Sequence, residues 1–71
     1  MRYDVVVYRY DTGIVNTIVG KDMALDSGHY TAERRADTVR ERCNEHYGVE
    51  IVETGTAKIG ERVPGYGKGK S

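Results

Sequence analysis

The residues able to do chemistry in this 71-residue chain gather in three places. Near the C-terminal end, Pro64-Gly65-Tyr66-Gly67-Lys68-Gly69-Lys70-Ser71 approaches Gly-x-x-x-x-Gly-Lys-Ser, in which backbone N–H groups wrap a phosphate and the lysine neutralises it. Pro64 stands where the first glycine belongs. The pattern also needs a strand before it and a helix N-terminus after it, aiming N–H groups at the anion. No helix is expected after Ser71, so the stretch reads as a flexible, Gly-rich basic tail over residues 61–71. As a tail it offers Arg62, Lys68 and Lys70 to phosphates and Tyr66 to a stacked base, a loose contact for nucleic acid.

Cys43 and His46 lie three apart, close enough to touch on a helix. As metal ligands they are two, where zinc takes three or four N, S or O donors, and His29 joins only from a preceding loop. As a nucleophile pair they need an exposed thiol, yet Cys43 falls on an apolar stripe, where a small buried cysteine is ordinary. The core reading prevails, and no metal, cofactor or catalytic group is expected. The third group is Arg34, Arg35, Arg40 and Arg42, interleaved with Glu33, Asp37, Glu41 and Glu45. At i,i+3, Arg34 meets Asp37, Asp37 meets Arg40 and Arg42 meets Glu45, which makes a self-neutralised solvated face. Arg35 and Arg42, seven apart, still share a side and can anchor an acidic partner.

The elements that position these groups are read from pattern and punctuation. Residues 3–10 are β-branched and aromatic, a strand. Asp11-Thr12-Gly13 turns the chain, and Ile14–Val19 returns antiparallel, stopping at Gly20. Residues 21–30 form a loop in which Met23 and Leu25 turn inward. From Thr31 to Tyr47, Ala32, Ala36, Val39, Cys43 and Tyr47 draw one narrow helical stripe, with Thr31 or Ser27 as N-cap and Gly48 as the left-handed residue beyond its end. Val49–Glu53 is a third strand, and Thr56–Ile59 suits a short fourth. The fold class is α+β: an antiparallel sheet of three to four strands with one helix on one face, ββαβ(β), over residues 1–60.

Composition bounds what such a domain does. Hydrophobic residues are 38% and net charge is zero, so the chain folds, but with little core to spare. One cysteine excludes an internal disulfide and favours a reducing compartment. No apolar run approaches the ~18 residues of a membrane span, and the first residues do not read as a signal peptide; a cytoplasmic location is expected. Only the tail is basic, with four cations against one anion over 58–71, which argues against a duplex-DNA binder.

Strand alternation places Val5, Val7, Val15 and Val19 on one face of the hairpin and Val6, Tyr8, Tyr10, Ile14 and Ile18 on the other. One alanine-bearing helix covers only one of them. The second apolar face is expected to meet another surface, making the protein a homodimer or a binder of a partner, the alternative being that tyrosine hydroxyls and the C-terminal tail shield it. The best contact residues are Tyr8, Tyr10, His29 and Tyr30, because tyrosine gives large area with few rotors and a polar tip.

The runs Tyr3-Asp4-Val5-Val6-Val7-Tyr8, Asp11-Thr12-Gly13, Ile18-Val19-Gly20, Ala32-Glu33-Arg34-Arg35 and Tyr47-Gly48-Val49 resemble small accessory proteins of tailed bacteriophages and prophages. The resemblance spans residues 3–60 and carries no active-site signature, so no functional residue transfers with it. It implies a non-catalytic binder in a bacterial cytoplasm that occludes a host protein complex, such as an anti-defence inhibitor of a CRISPR effector. The rival is an oligomeric sequestering protein for nucleotides or nucleic acid, working through Arg35, Arg42 and the tail.

Overall fold

The computed structural model of the chain describes residues 1–25 and 31–66. Strand β1 (Tyr3–Arg9), strand β2 (Val15–Met23), helix α1 (Ala32–Arg42) and strand β3 (Tyr47–Glu53) follow one another, so the ββαβ order and the α+β class hold. The sheet is antiparallel in the order β2-β1-β3, with β1 in the middle. Its valines are the reason: Val5 and Val6 are fully buried and Val7 nearly so, and only a central strand is covered on both faces. Residues 56–59 add no fourth strand among the described residues.

The two pairings of β1 differ in kind. Against β3 the register runs without interruption from Tyr3↔Glu53 to Arg9↔Tyr47. Against β2 it shifts three times, because β2 carries extra residues: Asn16 and Val19 have no counterpart on β1, and one of Lys21 and Asp22 has none either. A single extra residue sends every later side chain to the opposite face. That corrects the assignment of Val15. It leaves the face of Val5 and Val7 and packs with Val6, while Val19, beyond the bulge, stays on the helix side.

Helix α1 begins where expected. Thr31 is the N-cap, its Oγ1 accepting from Arg34 N at 3.2 Å. It stops earlier than the apolar stripe suggests, at Arg42, and not near Tyr47. Asn44 explains the stop: its Oδ1 accepts from His46 N (2.9 Å) and its carbonyl from Tyr47 N (3.3 Å), a local turn that outcompetes the next helical bonds. Gly48 is therefore not a helix cap but a buried residue of β3. Ala32 and Ala36, both fully buried, let the helix lie close on Val5, Val7 and Val49.

The second face is the larger correction. Ala57, Val63 and half-buried Tyr66 lie against Val6, Val15 and Val52, so residues 54–66 form a strap across the sheet opposite the helix. Its path is pinned by Val15 N donating to the Glu61 carbonyl (2.8 Å), Gly60 N to that of Val15 (2.9 Å) and Val63 N to that of Gly13 (2.8 Å). The surplus apolar face from which self-association was reasoned is covered within the chain. The free tail expected from residue 61 does not hold for 61–66, since Val63 is 4% exposed. Glycines usually mark disorder when they cluster, but Gly55, Gly60 and Gly65 here take positive φ and bend the strap around the sheet.

Candidate functional site

One end of the sheet collects aromatic and guanidinium groups. Tyr8 and Tyr10 leave the C-terminal end of β1, and Tyr66 arrives from the strap. Tyr8 meets Tyr10 edge-to-face with centroids 5.6 Å apart, and meets Tyr66 likewise at 6.1 Å. The Tyr66 hydroxyl donates to the Tyr10 carbonyl. Arg9 lies over the Tyr47 ring at 5.8 Å and Arg62 over the Tyr66 ring at 5.9 Å. Tyr10 is the most exposed of the four tyrosines, at 55%.

Two glycines make this packing possible. Gly13 closes the β1–β2 turn at φ +75°, donating to the Arg9 carbonyl at 2.7 Å, and the Tyr66 ring lies where its side chain would be. Gly48 lies under Tyr8, whose ring carbons and hydroxyl would come within 2.6–2.9 Å of an added Cβ. Gly48→Ala is expected to push the Tyr8 ring off β3 and into Tyr10 and Tyr66, at a cost of about 1–3 kcal/mol. Urea denaturation reads the loss, and the tyrosine near-ultraviolet circular dichroism reports the displaced ring, since the chain has no tryptophan.

The charges of this end are matched locally. Arg9 makes a paired contact with Asp11, Nε to Oδ1 at 3.1 Å and Nη2 to Oδ2 at 3.2 Å. The hydrogen bond and the opposite charge raise the Arg9 pKa and lower that of Asp11, so both stay ionised. Arg62 Nε donates to the Thr12 carbonyl at 3.3 Å. Burial first, then Glu50, Tyr10 and Tyr66, raises the Tyr8 hydroxyl above its ordinary value, so it remains a neutral donor. A hollow of about 340 Å³ opens beside the cluster, lined by Tyr10, Arg40, Asn44, Tyr47 and Val49 among others.

The sequence-derived site residues divide accordingly. Tyr8 and Tyr10 belong here, and so do Arg62 and Tyr66, two residues expected on a separate nucleic-acid tail. Arg35 does something else: its Nε donates at 2.8 Å to the carbonyl of the bulged Val19, filling a gap in the sheet edge. Arg42 is exposed on the far end of α1, beside a shallow groove floored by Val7, Val19 and Val39. Of the three helical ion pairs expected, Asp37–Arg40 forms, at 3.2 Å. His29, Tyr30, Lys68 and Lys70 lie outside the described residues. Cys43 packs half-buried on the helix side of the core, and among the described residues no group of three metal-ligating side chains occurs. Nor is any helix there long and apolar enough to cross a membrane. Arg9 and Tyr47 were missed; they meet because they are opposite each other in the β1–β3 register, which no pattern within either strand announces. No known protein family, curated protein or solved structure matches the chain.

Proposed function

We propose that this protein is a non-catalytic binding module that engages a protein partner through the tyrosine–arginine end of its sheet. One observation supports the reading most: an exposed Tyr10 packed edge-to-face on Tyr8, which packs in turn on Tyr66, whose ring carries Arg62. Such a group loses little conformational freedom on docking and presents the residue types that dominate protein interfaces. A protein partner fits better than nucleic acid, because Arg9 is already neutralised by Asp11 and Arg62 is turned back onto the chain. The resemblance to tailed-phage accessory proteins extends the proposal to a host complex, with occlusion of a defence effector as the outcome.

The test is affinity capture from a bacterial lysate with the native chain and with Tyr10→Ala, read by quantitative mass spectrometry. Because Tyr10 is exposed, its loss should leave the thermal midpoint within a few degrees while enrichment of the true partner falls at least about tenfold, the effect of ~1.4 kcal/mol. Raising salt from about 50 to 200 mM should weaken that capture little, whereas a nucleic-acid complex loses orders of magnitude. Capture that Tyr10→Ala leaves intact, or that salt abolishes, rejects the proposal.

A further inference from the structure

The two edges of the sheet are not alike. The β2 edge is broken by bulges and occupied: Val15 is paired on its outer side by Gly60 and Glu61, and the Val19 carbonyl is taken by Arg35. Bulges and caps of this kind are how sheets prevent further pairing. The β3 edge has no bulge and is capped at only three of its outward backbone groups. Its register against β1 is regular throughout, and the bonds Tyr10 N to the His46 carbonyl (3.0 Å) and Thr54 N to that of Arg2 (3.1 Å) fix the ladder's phase. Residues 46, 48, 50, 52 and 54 bond inward to β1, so Tyr47, Val49, Ile51 and Glu53 direct their backbone groups outward. Three of those groups are spoken for: Tyr47 N by the Asn44 carbonyl, the Val49 carbonyl by Arg40 Nη2 at 3.3 Å, and the Glu53 carbonyl by Thr56. Among the described residues, the Tyr47 carbonyl, Val49 N–H, both groups of Ile51 and Glu53 N–H have no partner.

We infer that this edge accepts an extended segment of the protein partner as a fourth strand, giving the order β2-β1-β3-partner. The inference rests on the proposed binding role and names the chemistry of what is bound. The edge side chains define that chemistry. Glu50 and Glu53 are exposed on opposite faces and three residues apart, while Val49, Ile51 and Val52 around them are apolar. Directly opposed cross-strand residues sit about 4.5–5.5 Å apart, where opposite charges attract and like charges repel. The matching strand therefore carries two cations three residues apart with apolar residues between and beside them. Arg40, beside Val49, disfavours a third cation there. Main-chain bonds then supply affinity and the alternate side chains supply selection.

The probe is the blocked peptide acetyl-Thr-Lys-Val-Val-Lys-Val-Thr-amide, added at up to millimolar concentration to the full native chain and followed by amide hydrogen exchange. Saturating peptide should slow exchange at Val49, Ile51 and Glu53 at least about tenfold and leave β2 amides unchanged. The same peptide with N-methyl groups at alternate amides, or with both lysines replaced by glutamate, should lose at least about tenfold in affinity. Tyr10→Ala should leave the edge protection in place, so failure of the tyrosine surface and failure of the edge are told apart. Absence of binding, binding without protection of those three amides, or equal binding of the glutamate peptide overturns the inference.

Discussion

Replacing Asp4 by alanine should remove about 2–4 kcal/mol, a large share of what so small a domain has. Asp4 is 1% exposed, yet its carboxylate accepts from Asp22 N at 2.8 Å and Thr54 Oγ1 at 3.1 Å on one oxygen, and from Gly55 N at 3.2 Å on the other. It thereby ties the left-handed Asp22 (φ 55°) in the β2 bulge to the turn that launches the strap. Truncation would take the carboxylate acceptor from both backbone donors and from the Thr54 hydroxyl. Asp4→Asn should cost less, about 1–2 kcal/mol, because the amide keeps the shape and one acceptor while opposing a donor with a donor. Urea denaturation at pH 7 orders the three proteins; equal stability of all three would show that the clamp does nothing.

The same group sets an acid limit. Burial alone raises the Asp4 pKa, but the donors from Asp22, Gly55 and Thr54, with Lys21 nearby, outweigh it and hold the carboxyl below its ordinary value. A carboxylate depressed in the fold stabilises it fully above the unfolded pKa near 4, and that contribution is withdrawn as pH falls through the folded value. Native stability should therefore be insensitive to Asp4 between pH 5 and 8, as round limits above that value, and drop below about pH 4 more steeply than in Asp4→Asn. Thermal midpoints across that range make the comparison.

Ending the chain at Gly60 should be the other severe change. It deletes Val63 and Tyr66 from the second face, together with the bonds from Val15 N to Glu61 and from Val63 N to Gly13. Uncovering Val6, Val15 and Val52 forfeits about 1.5–3 kcal/mol for each large side chain returned to water, several kcal/mol in all. A domain of this size is expected to lose its cooperative thermal transition or to associate through the bared face. Melting by circular dichroism and light scattering on a sizing column distinguish those results from an unaffected monomer, which would mean that the strap contributes nothing.

That experiment bears on how legible the molecule is from its residues. The hairpin, the single helix and the third strand follow from β-branched runs, the Asp11-Thr12-Gly13 turn and the alanine stripe. What escapes is what leaves no period behind. Asn16 and Val19 look like ordinary strand residues, and only their pairing across to β1 shows them to be extra, with Val15 changing sides as a result. Ala57 and Val63 are isolated apolar residues among glycines and a proline, and nothing local announces that they cover Val6. Asp4 reads as a polar interruption between Tyr3 and Val5; its donors come from residues 18, 50 and 51 positions away. Tyr8, Tyr10, Arg62 and Tyr66 were each visible as contact residues, but that they share one end of the sheet depends on the strap's path.

Placing β1 at the centre of the sheet also has a cost in time. The strand comes first in the chain, yet its second neighbour begins at Tyr47 and the cover of its far face ends near Tyr66. Contacts so distant in sequence are slow to close. On the ribosome, the most apolar run of the molecule must wait, half-clothed, until almost everything described here has been synthesised. Nascent chains stalled short of residue 66 are thus natural clients for holding factors.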